Sequence, residues 1–185
     1  TLDPSHITKP ADCNIFIGTN LTLKNSLSCA NFVLFNGTVT FAPSSGGITT
    51  SGDIALFGNG YIASDTESGV ADLFTYHNSK RTGKTAAPSL DWNSVFPAGK
   101  LPDGETLAPG FGGASYSGAF SDLSGKTLSV GKNFYANKMN LAASGAWTLA
   151  IPDNDNATSA FAEAYFTTVS NCSVSGGGFV AAAEG

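Results

Sequence analysis

The chain has 185 residues, of which 42% are hydrophobic and only 12% charged, with 13 Phe, 5 Tyr and 2 Trp. The aromatic content excludes a disordered chain, and so low a charged fraction leaves Ser, Thr, Asn and Gly to form the polar surface. Nine mostly scattered Lys and Arg against a net charge of −5 argue against nucleic-acid binding. No apolar run reaches the ~18 residues of a transmembrane segment.

The first dozen residues are polar and carry His6 between Pro4 and Pro10. His77 is the second of the two histidines, and neither lies near a Gly-x-Ser-x-Gly elbow or a matched cysteine motif. Both read as surface histidines, and an enzyme is not the favoured reading. Cys13 and Cys29 are close enough in sequence for a disulfide closing a loop of about 15 residues, worth roughly 3 kcal/mol in the chain-entropy account. The equal alternative is that both, with Cys172, are buried free thiols.

From Asn14 onward the apolar residues alternate. Ile15, Ile17, Leu21 and Leu23 form one series, Phe32, Leu34, Val39 and Phe41 a second, and Ile54, Leu56, Tyr61 and Ala63 a third. Period two predicts strands with one buried face. Asn36-Gly37 and Asn59-Gly60 interrupt them, as tight hairpin turns or as corners between stacked strands. Short strands recur about every seven residues, so three would complete a coil of about 20.

Residues 77–122 are different in kind. Pro88, Pro97, Pro102 and Pro109 deny this stretch long helices and central strands. It reads as a Pro/Gly-rich insertion in a single all-β domain whose β-rich parts are 14–76 and 123–185. Lys80, Arg81 and Lys84 form the one basic cluster. With Trp92 it is a candidate partner contact, and a solvated loop is its ordinary reading.

Beyond the insertion, Leu128–Val130, Phe134–Tyr135, Met139–Leu141 and Trp147–Ile151 are four short apolar patches separated by Gly131, Asn133, Asn137, Ser144 and Gly145. They predict successive strands with Phe134, Met139, Leu141, Trp147 and Leu149 facing inward. Asp153 and Asp155 are a candidate calcium pair. A full calcium loop fails, because its fifth, sixth and twelfth positions would be Ala157, Thr158 and Ala164; an Asx-turn is the simpler reading. Ala157, Ala160, Ala162 and Ala164, after Asp155 or Asn156 as N-cap, predict at most one short helix with Phe161 and Tyr165 on one face.

Asp53, Asp65, Glu67 and Asp72 are the carboxylates that neighbouring coils would bring together for glycoside chemistry. Sequons at Asn20, Asn36, Asn156 and Asn171 permit glycosylation, at a number near chance for so Asn-, Ser- and Thr-rich a chain.

"NLTLKN", "GTVTF", "GDIALFGNG" and "GKTLSVGKN" give the chain its style, and in it about 100 residues resemble the passenger regions of secreted right-handed β-helix proteins. The resemblance implies an all-β fold, a β-solenoid of right-handed β-helix type carrying the Pro-rich insertion. It also implies an extracellular or cell-surface setting and an adhesin or structural role, and it carries over no functional residue. The rival fold is a β-sandwich or jelly-roll filament subunit, in which the same turns are hairpins. Either fold predicts self-association or contact with other surface proteins. The C-terminal "GGGFVAAAEG" reads as an exposed or exchanged end. A carbohydrate-binding or carbohydrate-active protein on a β-scaffold, with glycans as partners, is the alternative function. No cofactor is expected apart from the calcium candidate.

Overall fold

The computed structural model describes residues 1–34, 36–57, 60–61, 115–137, 139–141, 143–151, 161–165, 168–175 and 180–183. Their regular structure is strand apart from two 3₁₀ turns, Pro4–His6 and Pro10–Asp12.

The strands come round in threes. β1 (Asn14–Ile17), β2 (Leu21–Leu23) and β3 (Leu27–Cys29) form a first rung; β4 (Asn31–Leu34), β5 (Asn36–Phe41) and β6 (Gly47–Thr50) form a second. The third rung is β7 (Ile54–Phe57), β9 (Ser115–Phe120) and β10 (Thr127–Ser129), with β8 (Gly60–Tyr61) beside β9. β11 (Asn133–Asn137), β12 (Asn140–Leu141) and β13 (Trp147–Ala150) follow, then β14 (Phe161–Tyr165), β15 (Thr168–Val169) and β16 (Cys172–Ser175), and finally β17 (Val180–Ala183).

Each rung gives one strand to each side. The first sheet runs β1-β4-β7-β11-β14-β17, the second β3-β6-β10-β13-β16, and the third β2-β5-β9-β8, with the pair β12-β15 against β9. Among the described pairings every one is parallel except β8 with β9. Parallel neighbours need a crossover, which here is the rest of the rung. These ladders fit a β-solenoid-like fold and are not the hairpins of a sandwich or jelly roll. Asn36-Gly37 opens strand β5 and makes no hairpin turn.

The register turns alternation into columns. Ile15, Phe32, Ile54 and Phe134 stack in the first sheet. Leu27, Ile48, Leu128, Leu149 and Val174 stack in the second. Phe32, Ile54, Leu27 and Leu128 are fully buried, as are the expected inward residues Phe134, Met139, Leu141, Trp147 and Leu149 at 2% exposure or less. In the third sheet Phe41 and Phe120 stack at 5.6 Å between ring centroids, 14° from parallel.

Two glycines show how closely the rungs approach. Gly37 has φ +86° and Gly47 φ +129°, and a Cβ would lie 2.2 Å from the Thr19 carbonyl carbon in the first case and 2.0 Å from the Thr127 oxygen in the second. Only glycine combines that backbone with that contact.

Two expectations are corrected. Phe161–Tyr165 is strand rather than helix: it pairs residue for residue with β11 on one side and β17 on the other. Two ladders satisfy its backbone more fully than the alanine propensity of a short isolated helix would. Ser115–Phe120 belongs to the β-structure, not to the insertion, because its small residues let Gly118 pair beside Gly37. Val180–Ala183 pairs with β14 as the last strand in the order of the first sheet.

The two ends differ. At the N-terminal end Leu2 bridges Leu23, donating to Thr22 and accepting from Lys24, and the Pro10–Asp12 turn packs on β3. Pro4 is buried and Leu2 packs on the core. At the other end the second-sheet column emerges into solvent: Val174, in register with buried Leu149, is 44% exposed.

Candidate functional site

The corner that feeds the second sheet carries a rail of polar side chains. The residues before each second-sheet strand are small and polar: Asn25-Ser26, Ser44-Ser45-Gly46, Ser124-Gly125, Ser144-Gly145 and Ser170-Asn171. Their side chains bond across rungs as well as along the chain.

At the N-terminal end Asp3 accepts from the Ser5 amide (3.1 Å), the Ser5 hydroxyl (2.7 Å) and the Asn25 Nδ2 (3.1 Å). Ser44 donates to the Lys24 carbonyl, Ser45 to the Asn25 carbonyl at 3.1 Å, and the Gly46 amide to Ser26 Oγ at 2.8 Å. Asp122 then gathers the next two rungs. It accepts from the amide and hydroxyl of Ser124 (2.9 and 2.6 Å) and of Ser144 (3.3 and 2.8 Å). The Gly145 amide donates to Ser124 Oγ at 2.6 Å. Asn171 continues upward, donating to the Ala143 carbonyl at 2.7 Å from a left-handed backbone, φ 55°.

This environment fixes the charge of the rail. The Ser124 hydroxyl foremost, then the Ser124 amide and Ser144, hold the Asp122 carboxyl well below the usual carboxylate range. Asp3 is lowered in the same way, chiefly by the Ser5 hydroxyl. Both are anions at neutral pH, Asp122 exposed and Asp3 half-buried, and neither is poised as a general acid. Lys126 turns inward instead: its Nζ donates to the carbonyls of Ser45 (2.6 Å) and Ala42 (3.4 Å) and lies 6.0 Å from the Phe41 ring centroid.

A second polar ladder is internal. Asn31 Nδ2 donates to Asn14 Oδ1 at 2.9 Å, and the Asp53 amide donates to Asn31 Oδ1 at 2.6 Å. Asn31 and Asp53 are 6% and 1% exposed. Asp53 therefore belongs to the wall between rungs and does not look out of a cleft. Asp65, Glu67 and Asp72, its expected carboxylate partners, lie outside the described residues.

The other candidates are dispersed. Asn20, Asn36 and Asn171 are exposed, yet each amide side chain is engaged: Asn20 Oδ1 accepts from the Thr38 amide at 2.9 Å and Asn36 Nδ2 donates to the Gly18 carbonyl at 3.2 Å. A glycan on Nδ2 of Asn36 or Asn171 would compete with an inter-rung bond. The fourth sequon, Asn156, lies outside the described residues, as do Asp153, Asp155, Lys80, Arg81, Lys84 and Trp92. Cys13, Cys29 and Cys172 are free thiols, Cys29 buried and the others half-buried. His6 is exposed in the first 3₁₀ turn. Trp147 faces the core, its Nε1 donating to the Ser170 carbonyl at 2.9 Å. Among the described residues no three His, Cys, Asp or Glu side chains gather to hold a metal, and no helix is long and apolar enough to cross a membrane.

Sequence reasoning missed the rail itself: Asp3, Ser5, Asn25, Asp122, Ser124 and Ser144. The signal was present as a Ser/Asn-containing corner before every second-sheet strand, spaced irregularly because the rungs differ in length. In chemical terms the rail is a row of ordered hydroxyls, amides and carboxylates at the ~4.8 Å step of a sheet. Comparison with protein-family models, curated proteins and solved structures finds no match for the chain.

Proposed function

We propose that the chain is an extracellular structural or adhesive surface module, a β-solenoid of right-handed β-helix type that associates with other copies of itself. The observation that carries this reading is the exposure of Val174, in register with the buried core column of the second sheet. Leu2 and the Pro10–Asp12 turn cover the first rung, whereas Val174 continues a core column into solvent at 44% exposure, and Val169, in β15, is 37% exposed. Exposed apolar side chains on strands at the limit of a sheet order are a template for another chain. A surface of Ser, Thr and Asn, with few Lys and Glu, also lacks the charges that blunt such edges.

Sedimentation velocity across a concentration series, with electron microscopy of the same samples, tests the proposal. Discrete oligomers or filaments that grow with concentration and are lost in Val174→Asp support it. A monomer at the highest concentration sinks it.

The polar rail favours a second reading, a carbohydrate-binding β-scaffold, because exposed carboxylates and hydroxyls can exchange hydrogen bonds with sugar hydroxyls. Against it, Trp147 is buried and offers no stacking face. A glycan array probed with wild type and Asp122→Ala decides between the two readings.

A further inference from the structure

We propose that Cys13 and Cys29 are a redox-sensitive pair that closes a disulfide around the first rung. The two residues are separated in sequence by one complete rung: β1 begins at Asn14 and β3 ends at Cys29. They meet again where that rung returns to its start. The register Asn14↔Asn31 continues one step back, and the Ala30 amide donates to the Cys13 carbonyl at 2.8 Å. Cys29 is the next residue before Ala30, at the corner from β3 into β4, so it stands one residue, about 3.8 Å between Cα atoms, from the residue whose amide bonds to Cys13. Cys13 lies close enough to act on the Cys29 thiol, and ordinary disulfides span about 4.4–6.8 Å between Cα atoms. The packing of the Pro10–Asp12 turn on β3 holds the Cys13 side of the pair in place.

The thiols are unequal, which orders the chemistry. Cys29 is 2% exposed; burial foremost, with Cys13 close by, pushes its thiol up to about 12. Cys13 is half-buried and its Sγ donates to the Lys9 carbonyl at 3.5 Å. Cys13 is therefore the group that a small disulfide meets first. Its thiolate attacks one sulfur of a glutathione-type disulfide and expels one thiolate. Cys29 then attacks the Cys13 sulfur of the mixed disulfide and expels the second. Two protein thiols are oxidised, one small disulfide is reduced to two thiols, and the two protein protons pass to the leaving thiolates. Cys172, in β16 at the other end of the second sheet, has no place in this exchange. The product is a ring of one rung, which ties the covering segment to the stack at the end opposite Val174.

The test uses the full chain carrying Cys172→Ser, which prevents cross-links between copies. After equilibration with oxidised glutathione, thiol titration under denaturing conditions is expected to fall from two thiols to none without bound glutathione. Intact mass falls by two hydrogens, and peptide mapping joins Cys13 to Cys29. The oxidised form melts roughly 5–10 °C higher, and reductant removes the gain. Cys13→Ser in the same background leaves Cys29 as a reduced thiol with no such shift. Two titratable thiols after oxidation, or glutathione retained on Cys13 without ring closure, overturns the proposal. These readouts do not depend on whether the chain self-associates.

Discussion

Truncating the second-sheet column at two heights gives the sharpest measure of how the stack is held together. Leu128 is fully buried between Ile48 and Leu149, themselves 1% and 2% exposed. Leu→Ala at a buried site costs about 2–5 kcal/mol, most where neighbours cannot collapse into the cavity. Rungs fixed by ladders above and below collapse poorly, so Leu128→Ala is expected to cost about 4 kcal/mol. Val174 occupies the same column at 44% exposure. Val→Ala removes two carbons worth about 0.8 kcal/mol each when fully buried, so roughly half of that, near 0.9 kcal/mol, is lost here. At about 2–4 °C per kcal/mol for a chain of this size, the variants should melt about 8–16 °C and 2–4 °C below wild type. Circular dichroism melts and urea titrations at low concentration measure both. Equal losses would refute the column, because a closed core has no privileged end. A Val174→Ala loss that grows with concentration would tie the exposed valine to association.

Two further predictions probe the contacts between rungs. Gly47→Ala should destabilise by more than about 2 kcal/mol in urea, combining strained φ with a Cβ that meets the Thr127 oxygen, whereas Gly125→Ala, at φ +71° with open space around it, should cost only the roughly 1 kcal/mol of a left-handed alanine. Asp122 has a folded-state pKa below its ordinary 3.8, so its contribution is fully present above that value and is lost as pH falls toward the folded one. Between about pH 5 and pH 2 the urea midpoint of wild type should therefore drop further than that of Asp122→Asn; parallel profiles would remove Asp122 from the rail's energetics.

Much of the strand inventory was legible because period two leaves a visible trace whenever one face is buried. Phe32, Leu34, Ile54, Leu56, Phe134 and Leu149 all follow it into the core. The trace fails where small residues replace large ones. "SYSGAF" reads as loop by composition, yet Gly118 and Ala119 fit beside Gly37 and Thr38 because nothing bulky separates the rungs. It also fails where local propensity and tertiary pairing disagree, as at Ala162 and Ala164, whose backbones serve two ladders. The rail was hidden for a different reason. Asp122 and Asp3 look like ordinary turn acids until the fold brings Ser144 to one and Asn25 to the other.

The choice between hairpins and stacked rungs rests on the reach of the corner side chains. A hairpin turn satisfies its polar groups within a few residues, so Asn-Gly and Ser-Gly corners there bond locally. In this chain, beside local bonds such as Ser124 to Asp122, corner bonds span a whole rung: 17 residues from Asn31 to Asn14, 22 from Asp53 to Asn31, 22 from Ser144 to Asp122 and 28 from Asn171 to Ala143. The unequal lengths explain why no strict repeat is visible in the sequence, since the bonds fix the corners while the segments between them vary. They also account for the Asn and Ser content without appeal to glycans. An amide side chain is both donor and acceptor, so an Asn in one rung can take a bond from the next and give one to the last. Asn31 does both, accepting from Asp53 and donating to Asn14, and a corner built that way passes its alignment on to the rung above.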